Sequence, residues 1–507
     1  MLLILLVLTF KLFFVLFIFT VFFIILTQLI HYKLKYQHRS VFKNIKTISF
    51  VHPFCADCGG GEKVLWRMIA SLISCNLPSP SSQKLKINII SGRKDNILEL
   101  TQKLKDRFGI ELKNNLFNDN NYNMIGNNNI SPQMNNNKLV IEVELISLRS
   151  GYMLRPQNFL TMLLQILGQI YFAFEIITKV YSDVYCDTTG LPFCYFVLKY
   201  FGHAKVTAYT HYPFISYEMI YQVEHNIYGV HSQGKLNKIK IIKKIKLLYY
   251  KFILKLYELM GNKCLSFAYV NSTWTFNHMK ELWKKLFLNK KLLILYPPCS
   301  ISLYKEAAKN EDRENIIVSF AQFRPEKRQD VQINILQKLK NRLSNYSGFE
   351  DLELHIIGGV RNKNDEEILN NLKRYSQQLG IQDFVKFLPN GTTEEIMEEF
   401  SKAKIGIHTM KFEHFGITLI EMMAAGLIVV THKSAGAKDD ILVPDEYGNP
   451  GFLVETEDDY VQQIEEILVR YNEIKGQIIS CSTRRAENFS DEAFKNQFLS
   501  QLNDFIL

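Results

Sequence analysis

The stretch Glu413-His-Phe-Gly-Ile-Thr-Leu-Ile-Glu421, running on through Met422-Met-Ala-Ala-Gly426, sets two carboxylates around a glycine turn that opens an apolar helix. Gly416 permits a close backbone approach, and a helix starting near Ile417 presents free backbone N–H groups to an anion. Glu421 falls about one turn into that helix, with Glu413 on the entering loop. One segment can therefore hold a sugar hydroxyl, a phosphate and a ribose together, which is a nucleotide-sugar site in outline.

Outward from this segment, short β-rich runs alternate with helical stretches, the pattern of parallel sheets. Strands are expected at Ile316–Gln322, Glu353–Gly358, Phe384–Phe387, Ile405–His408 and Leu427–Thr431. The same rhythm occupies the first half, at Thr47–Val51, Ile87–Ser91, Leu139–Ile146, Asp183–Asp187, Lys205–Tyr209, Leu265–Asn271 and Leu292–Tyr296, with helices such as Glu62–Ile73 and Ile97–Phe108 between them. At 507 residues the chain exceeds one ordinary core. The expectation is an α/β protein with domains at 45–299 and 315–480, joined near Pro297–Asn315, and a C-terminal helix over 481–507. Asn114 to Asn137 is dominated by asparagine without apolar periodicity and reads as a surface insertion.

Residues 1–32 are almost wholly apolar and long enough to cross a bilayer, without the small-residue cleavage site of a signal peptide. Lys33, Lys35, Arg39, Lys43 and Lys46 follow, so the positive-inside rule puts the bulk of the chain on the cytoplasmic side. Five sequons, at Asn129, Asn271, Asn345, Asn390 and Asn488, point the other way but arise easily in an Asn-rich chain. The eight cysteines are scattered, as befits thiols in a reducing compartment. The net charge of +10 is concentrated in Lys235–Lys255, where eight lysines alternate with Ile, Leu and Tyr at helical spacing. That pattern suits an anionic membrane face or a core helix with a solvated lysine side; without a nucleic-acid-binding module it does not indicate nucleic acid. Leu160 to Val180 carries Gln165, Gln169, Glu175 and Lys179, too polar for a comfortable span, and reads as a buried or membrane-apposed helix.

Three further motifs sit at the ends of expected strands. His52-Pro-Phe-Cys-Ala-Asp-Cys-Gly-Gly-Gly-Glu-Lys63 is a strand–glycine turn–helix element whose Gly59, Gly60 and Gly61 let backbone approach a phosphate or sugar. It matches neither a Walker A loop nor a dinucleotide fingerprint. Cys55 and Cys58 lack a second ligand pair for zinc. His211-Tyr-Pro follows the strand ending at Tyr209, where open α/β sheets bind ligands. In Gln322-Phe-Arg-Pro-Glu-Lys327, Arg324 and Lys327 are placed to neutralise a diphosphate leaving group.

Glu413 and Glu421, with the motifs around them, resemble the signature of the retaining, two-Rossmann (GT-B) glycosyltransferases of family four. His52-Pro-Phe-Cys, Gly59-Gly-Gly-Glu-Lys-Val-Leu-Trp66, His211-Tyr-Pro, Val270-Asn-Ser-Thr-Trp274, Tyr296-Pro-Pro-Cys299 and Gln322-Phe-Arg-Pro-Glu-Lys327 narrow the resemblance. Together they are similar to the GDP-mannose-dependent α-1,2-mannosyltransferases that add the fourth and fifth mannoses to the dolichol-linked N-glycan precursor. The resemblance implies two Rossmann-like domains facing a cleft, the first for the acceptor and the second for the nucleotide sugar. It implies GDP-mannose as donor, no metal cofactor, a dolichyl-diphosphate-linked oligosaccharide as acceptor, and the endoplasmic reticulum membrane, beside other dolichol-pathway transferases. Glu413 would hold mannose hydroxyls and Glu421 the ribose. The backbone of Phe415, Gly416 and Ile417 would meet sugar and phosphate, and Arg324 and Lys327 the diphosphate. Gly59 to Gly61 would close over the donor, and His211 would lie near the reacting carbon. Glu218 stands where related chains carry aspartate, and Gln322 where many carry arginine. The alternatives are a transferase building the α-1,3/α-1,6 branch, one acting on phosphatidylinositol, or an inactive membrane scaffold.

Overall fold

The computed structural model describes residues 2–41, 45–57, 59–74, 84–112, 140–155, 161–225, 240–344 and 346–506. The Asn-rich segment 114–137, Cys58, Lys235 and Lys238 lie outside them. Two wholly parallel sheets form the scaffold. The first comprises β1 (Ile45–Val51), β2 (Lys84–Ser91), β3 (Val140–Ser147), β4 (Val184–Asp187), β5 (Lys205–Thr210), β6 (Phe267–Val270) and β7 (Leu292–Ile294), in spatial order β3-β2-β1-β4-β5-β6-β7. The second comprises β8 (Glu314–Phe320), β9 (Glu353–Gly358), β10 (Val385–Pro389), β11 (Ala403–His408), β12 (Ile428–His432) and β13 (Phe452–Val454), in order β10-β9-β8-β11-β12-β13. Each order reverses beside its first strand, so each sheet carries a ligand crevice at the carboxyl ends of β1/β4 and β8/β11. The inner strands, buried on both faces, read as apolar runs, and β4 and β6 are buried throughout. β13 was not expected: three residues behind Pro450-Gly451 carry too little pattern to stand out.

Helices cover both faces of the first sheet. Gly60–Ser74 and Ile97–Phe108 form one layer, centred on the fully buried Trp66, whose Nε1 donates to the Cys55 carbonyl at 2.8 Å. Thr161–Lys179, Cys194–Tyr200 and Lys240–Cys264 form the other layer, around Phe172, Ile176 and Ile253. The N-terminal segment is one helix, Leu2–Val41, so Lys33, Lys35 and Arg39 lie within its last turns rather than beyond its end. From Phe23 onward it packs on the domain, with Phe23 edge-on to Phe174 at 5.2 Å and Gln28 donating to the Phe201 carbonyl at 3.0 Å.

Two chain crossings join the domains side by side, since the Cys299 N–H donates to the Phe489 carbonyl at 2.9 Å. The last helix, Asp491–Ile506, returns to the first domain, where Phe494 and Phe498 enter its core and Arg67 bonds Asp491 at 2.6 Å. The break before this helix falls at 488–490, not at 481, because Tyr471–Glu487 is a continuous helix across that point. Gly476 lies inside it, and a Cβ there would touch nothing. Gly476→Ala is therefore expected to stabilise the protein by roughly 0.5–1 kcal/mol, seen as a higher urea midpoint at unchanged slope.

Candidate active site

The crevice ends of the two sheets face one another. On the second domain, β11 delivers Glu413, and the turn Pro325–Lys327 after β8 delivers Lys327, whose Nζ lies 2.5 Å from a Glu413 oxygen. His408 Nε2 approaches the same carboxylate at 3.2 Å. Burial disfavours ionisation of Glu413, but the Lys327 charge, followed by His408, outweighs it and holds the carboxyl well below its ordinary range. The carboxylate is thus a fixed anion beside a fixed cation. Gly416, at φ +111°, makes the sharp turn that starts the helix Ile417–Ala424, and Glu421 sits buried one turn inside it.

Glu421 meets a residue that sequence reading had not singled out. Lys63 reaches across from the first domain to within 3.6 Å of Glu421, and both side chains are nearly sealed from solvent (7% and 10% exposed). Burial raises the Glu421 carboxyl above its usual range, with the Lys63 charge opposing. The only sequence signal for Lys63 was its place behind the glycine turn.

That turn differs from the expectation. The helix starts at Gly60, so Gly60 and Gly61 belong to its first turn. The Gly59 N–H donates to Glu62 Oε2 at 2.7 Å, which fills this helix end with the protein's own carboxylate. A Cβ on Gly60 would stand 3.5 Å from Ile417 Cδ1, and one on Gly61 3.4 Å from His211 Nε2, both ordinary van der Waals distances. Gly60, Gly61, His211 and Ile417 are therefore brought together where the domains touch.

Behind them lies a hub at Thr188. Its hydroxyl meets His52 Nδ1 at 2.8 Å, and its carbonyl accepts from His211 Nε2 at 3.3 Å, so His211 keeps Nδ1 as an acceptor. His52 Nε2 donates to Glu62 at 3.1 Å. Asp187, at the end of β4, fixes the hub by accepting from the Thr189, Gly190 and Leu191 N–H groups and the Tyr195 hydroxyl, at 2.6–3.0 Å. Tyr212, Trp274 and His414 lie near-parallel, with Tyr212 and His414 4.1 Å apart, and join the domains beside the glutamate loop. Asp440 adds a second tie, accepting from Thr273 N–H at 3.0 Å and the Tyr296 hydroxyl at 2.9 Å.

Arg324 is not part of the Glu413 cluster. It is the extended residue before the 3-10 turn, lies 3.7 Å from Glu326, and lines a surface recess of about 530 Å³ with Pro325, Asn371 and Tyr375. Only Lys327, three residues later, points at Glu413. Cys55 is buried and its thiol is pushed far up by burial and the neighbouring Asp95, which favours the protonated form over a zinc thiolate.

Burial lowers His211 to about 4, with His52 adding to the effect, and lowers His408 and His414 too. A histidine with a depressed folded value binds fewer protons folded than unfolded between that value and about 6.5, so stability rises with pH in this window. The urea midpoint is expected to fall as pH drops from 6.5 toward 4, and His211→Asn to flatten part of that slope.

Two doubly wound domains, with a lysine–glutamate pair and a helix N-terminus at the crevice of the second, define a GT-B glycosyltransferase. Residues 45–283 match the family described as ALG11 mannosyltransferase N-terminus, and residues 301–476 match glycosyl transferases group 1. A human protein named GDP-Man:Man(3)GlcNAc(2)-PP-Dol alpha-1,2-mannosyltransferase is 34% identical over 465 residues, covering 91% of this chain and 87% of the relative. Its Dictyostelium discoideum namesake is 32% identical over 485 residues, covering 94% and 87%. The chain belongs to the ALG11 mannosyltransferase family. Among solved structures, sucrose-phosphate synthase from Thermosynechococcus elongatus superposes with a TM-score of 0.58 at 13% identity, over 91% of this chain and 99% of that one. Anabaena HepE in complex with UDP and glucose gives 0.54 at 15% identity, over 90% and 100%. These two likenesses concern the fold alone.

Proposed function

We infer that the chain transfers mannose from GDP-mannose in α-1,2 linkage to the trimannosyl chitobiose carried on dolichyl diphosphate, and so acts in N-glycan precursor synthesis. The observation that carries the reading is the Lys327–Glu413 pair in the crevice of a chain whose family members bear this activity in their names. In the proposed mechanism Lys327 and the N–H groups at Ile417 face the donor diphosphate and stabilise the charge on departing GDP. Glu413 orients the mannose through its hydroxyls, and Glu421, released from Lys63, meets the ribose. The acceptor hydroxyl attacks from the side the diphosphate leaves, the C1–O bond to GDP breaks, and the leaving phosphate takes the hydroxyl proton, so configuration is retained. His211, neutral at pH 7, offers Nδ1 as an acceptor near the reacting carbon. Lysine and helix dipole supply the positive field, so the scheme uses no divalent ion.

We further propose a single N-terminal span in the endoplasmic reticulum membrane, with the catalytic domains cytosolic. Lys33, Lys35 and Arg39 at the helix end support this orientation, as do the six described cysteines, all free thiols, and Asn271, a sequon asparagine closed off by burial. The deciding experiment incubates the purified protein with GDP-mannose and a synthetic trimannosyl lipid, followed by linkage and anomer analysis. One or two α-1,2-linked mannoses are expected. An α-1,3 or α-1,6 product, or transfer only to phosphatidylinositol, would reassign the acceptor. GDP-mannose binding by calorimetry without any turnover would mark an inactive scaffold.

A further inference from the structure

Lys63 stands in the first turn of the helix Gly60–Ser74, and Arg67, one turn further on, lies on the same face. Lys63 ends on Glu421 of the second domain at 3.6 Å, and both side chains are nearly sealed from solvent. Arg67 ends at 2.6 Å on Asp491, the first residue of the last helix. The two contacts differ in kind. A well-made ammonium–carboxylate bond measures about 2.7–2.9 Å, so Lys63 and Glu421 are held together by the closed domains rather than by a tight bond. Burying both charges is unfavourable, and a contact this long offsets little of it. Such a pair exchanges easily once a better partner arrives.

A second acceptor for Lys63 is already in place. Asp491 takes the Arg67 guanidinium and the Ser300 hydroxyl on its Oδ2, at 2.6 and 3.2 Å. Its Oδ1 is buried and has no hydrogen-bond partner, an unfavourable state for a carboxylate oxygen. Residues four apart on a helix have Cβ atoms about 5–6 Å apart, so the carboxylate that Arg67 reaches lies within the sweep of the Lys63 side chain. Cys299, whose thiol burial pushes up, feels the charges of Lys63, Glu421 and Asp491 as well, which places the three around one point. That point is where the chain crosses between the domains, at Cys299 and Ser300 on one pass and just before Asp491 on the other.

We propose that Lys63 is a two-position residue that governs donor binding: without donor it rests on Glu421, and when the donor's ribose hydroxyls take Glu421 it moves to Asp491 Oδ1. The exchange leaves no group unpaired. The Glu421 carboxylate passes from an ammonium to hydroxyl donors, and the ammonium passes to an oxygen that had no partner. It also carries the arrival of donor to the crossing between the domains, where Asp491 holds both Arg67 and Ser300. Lys63 is thus a positioning residue, acting on the donor through Glu421. The proposal rests on the reading that Glu421 meets the ribose, and the test separates the two.

The full chain, in detergent, is titrated by calorimetry with GDP and with 2′,3′-dideoxyguanosine 5′-diphosphate, which lacks the ribose hydroxyls. The ratio of the two affinities isolates the hydroxyl contact, because attraction of the diphosphate to nearby cations is the same in both. A Glu421 covered by Lys63 about nine-tenths of the time binds the hydroxyls about tenfold more weakly than a free one, so Lys63→Met should raise the ratio about tenfold. Lys63→Gln, which keeps a hydrogen bond to Glu421 without the charge, should raise it less, and is read instead if Lys63→Met does not fold. Asp491→Asn retains an acceptor for Arg67 but weakens the second seat of Lys63, and should lower the ratio. The double variant should behave as Lys63→Met alone, whereas simple damage to packing would carry the Asp491→Asn loss into it. An unchanged or lower ratio on replacing Lys63 overturns the exchange, and a double variant as weak as Asp491→Asn overturns the role of Asp491. Glu421→Gln should bring the ratio close to that of a site blind to the hydroxyls, and an undiminished ratio there overturns the ribose reading itself.

Discussion

Lys327→Met should lower kcat/KM for mannose transfer by about a thousandfold, close to 4 kcal/mol of transition-state stabilisation. Its ammonium lies 2.5 Å from Glu413 at the mouth of the second crevice. Without it, the diphosphate departs next to a bare carboxylate, so one charge is lost and another becomes repulsive. Glu413→Gln keeps the shape, removes that carboxylate and weakens the grip on the mannose hydroxyls. The double variant should then be no slower than Lys327→Met alone, because the two residues act as one unit. Both side chains are mostly but not wholly buried, so folding should survive, with melting lowered by a few degrees and GDP binding still measurable by calorimetry. Near wild-type turnover in Lys327→Met, or additive losses in the double variant, would contradict this account.

The sequence is most legible where local chemistry repeats. Strands such as Glu353–Gly358 are apolar runs between breakers, and the glycine at 416 announced both its turn and the helix behind it. Legibility fails wherever the decisive contact spans domains. Lys63 looks like any lysine early in a helix, and nothing local reveals that it ends on Glu421, some 358 positions away. Asp187 and Thr188 read as the end of a strand and a turn, although they hold both crevice histidines. Arg324 and Lys327 look equivalent on paper, but the 3-10 turn between them aims only one at Glu413. Nothing in the run Gly59-Gly-Gly61 shows that Gly60 lies against Ile417 of the other domain and Gly61 against His211.

The same limit gives the second large effect, at a glycine with no sequence signal at all. Gly436, in Ser434-Ala-Gly-Ala437, has an ordinary helical φ of −59°, so alanine would be tolerated by its own backbone. Its surroundings would not tolerate it. A Cβ there would stand 2.6 Å from Phe415 Cα and 2.7 Å from the His414 and Phe415 carbonyl oxygens, and backbone atoms cannot swing aside as a side chain can. The Gly436 N–H also donates to the Glu413 carbonyl at 3.0 Å, so the two segments cannot drift apart without releasing the glutamate loop. Gly436→Ala must therefore displace Glu413–Gly416 by something near 1 Å, enough to cost about a hundredfold in turnover when reacting groups need near-attack geometry. The loss should fall on kcat/KM for transfer while the denaturant slope stays that of a folded protein. Gly476→Ala, made in parallel, should leave catalysis unchanged. Wild-type kinetics in Gly436→Ala would mean that the loop can relax without moving Glu413, and the rigid placement assigned to that carboxylate would have to be abandoned.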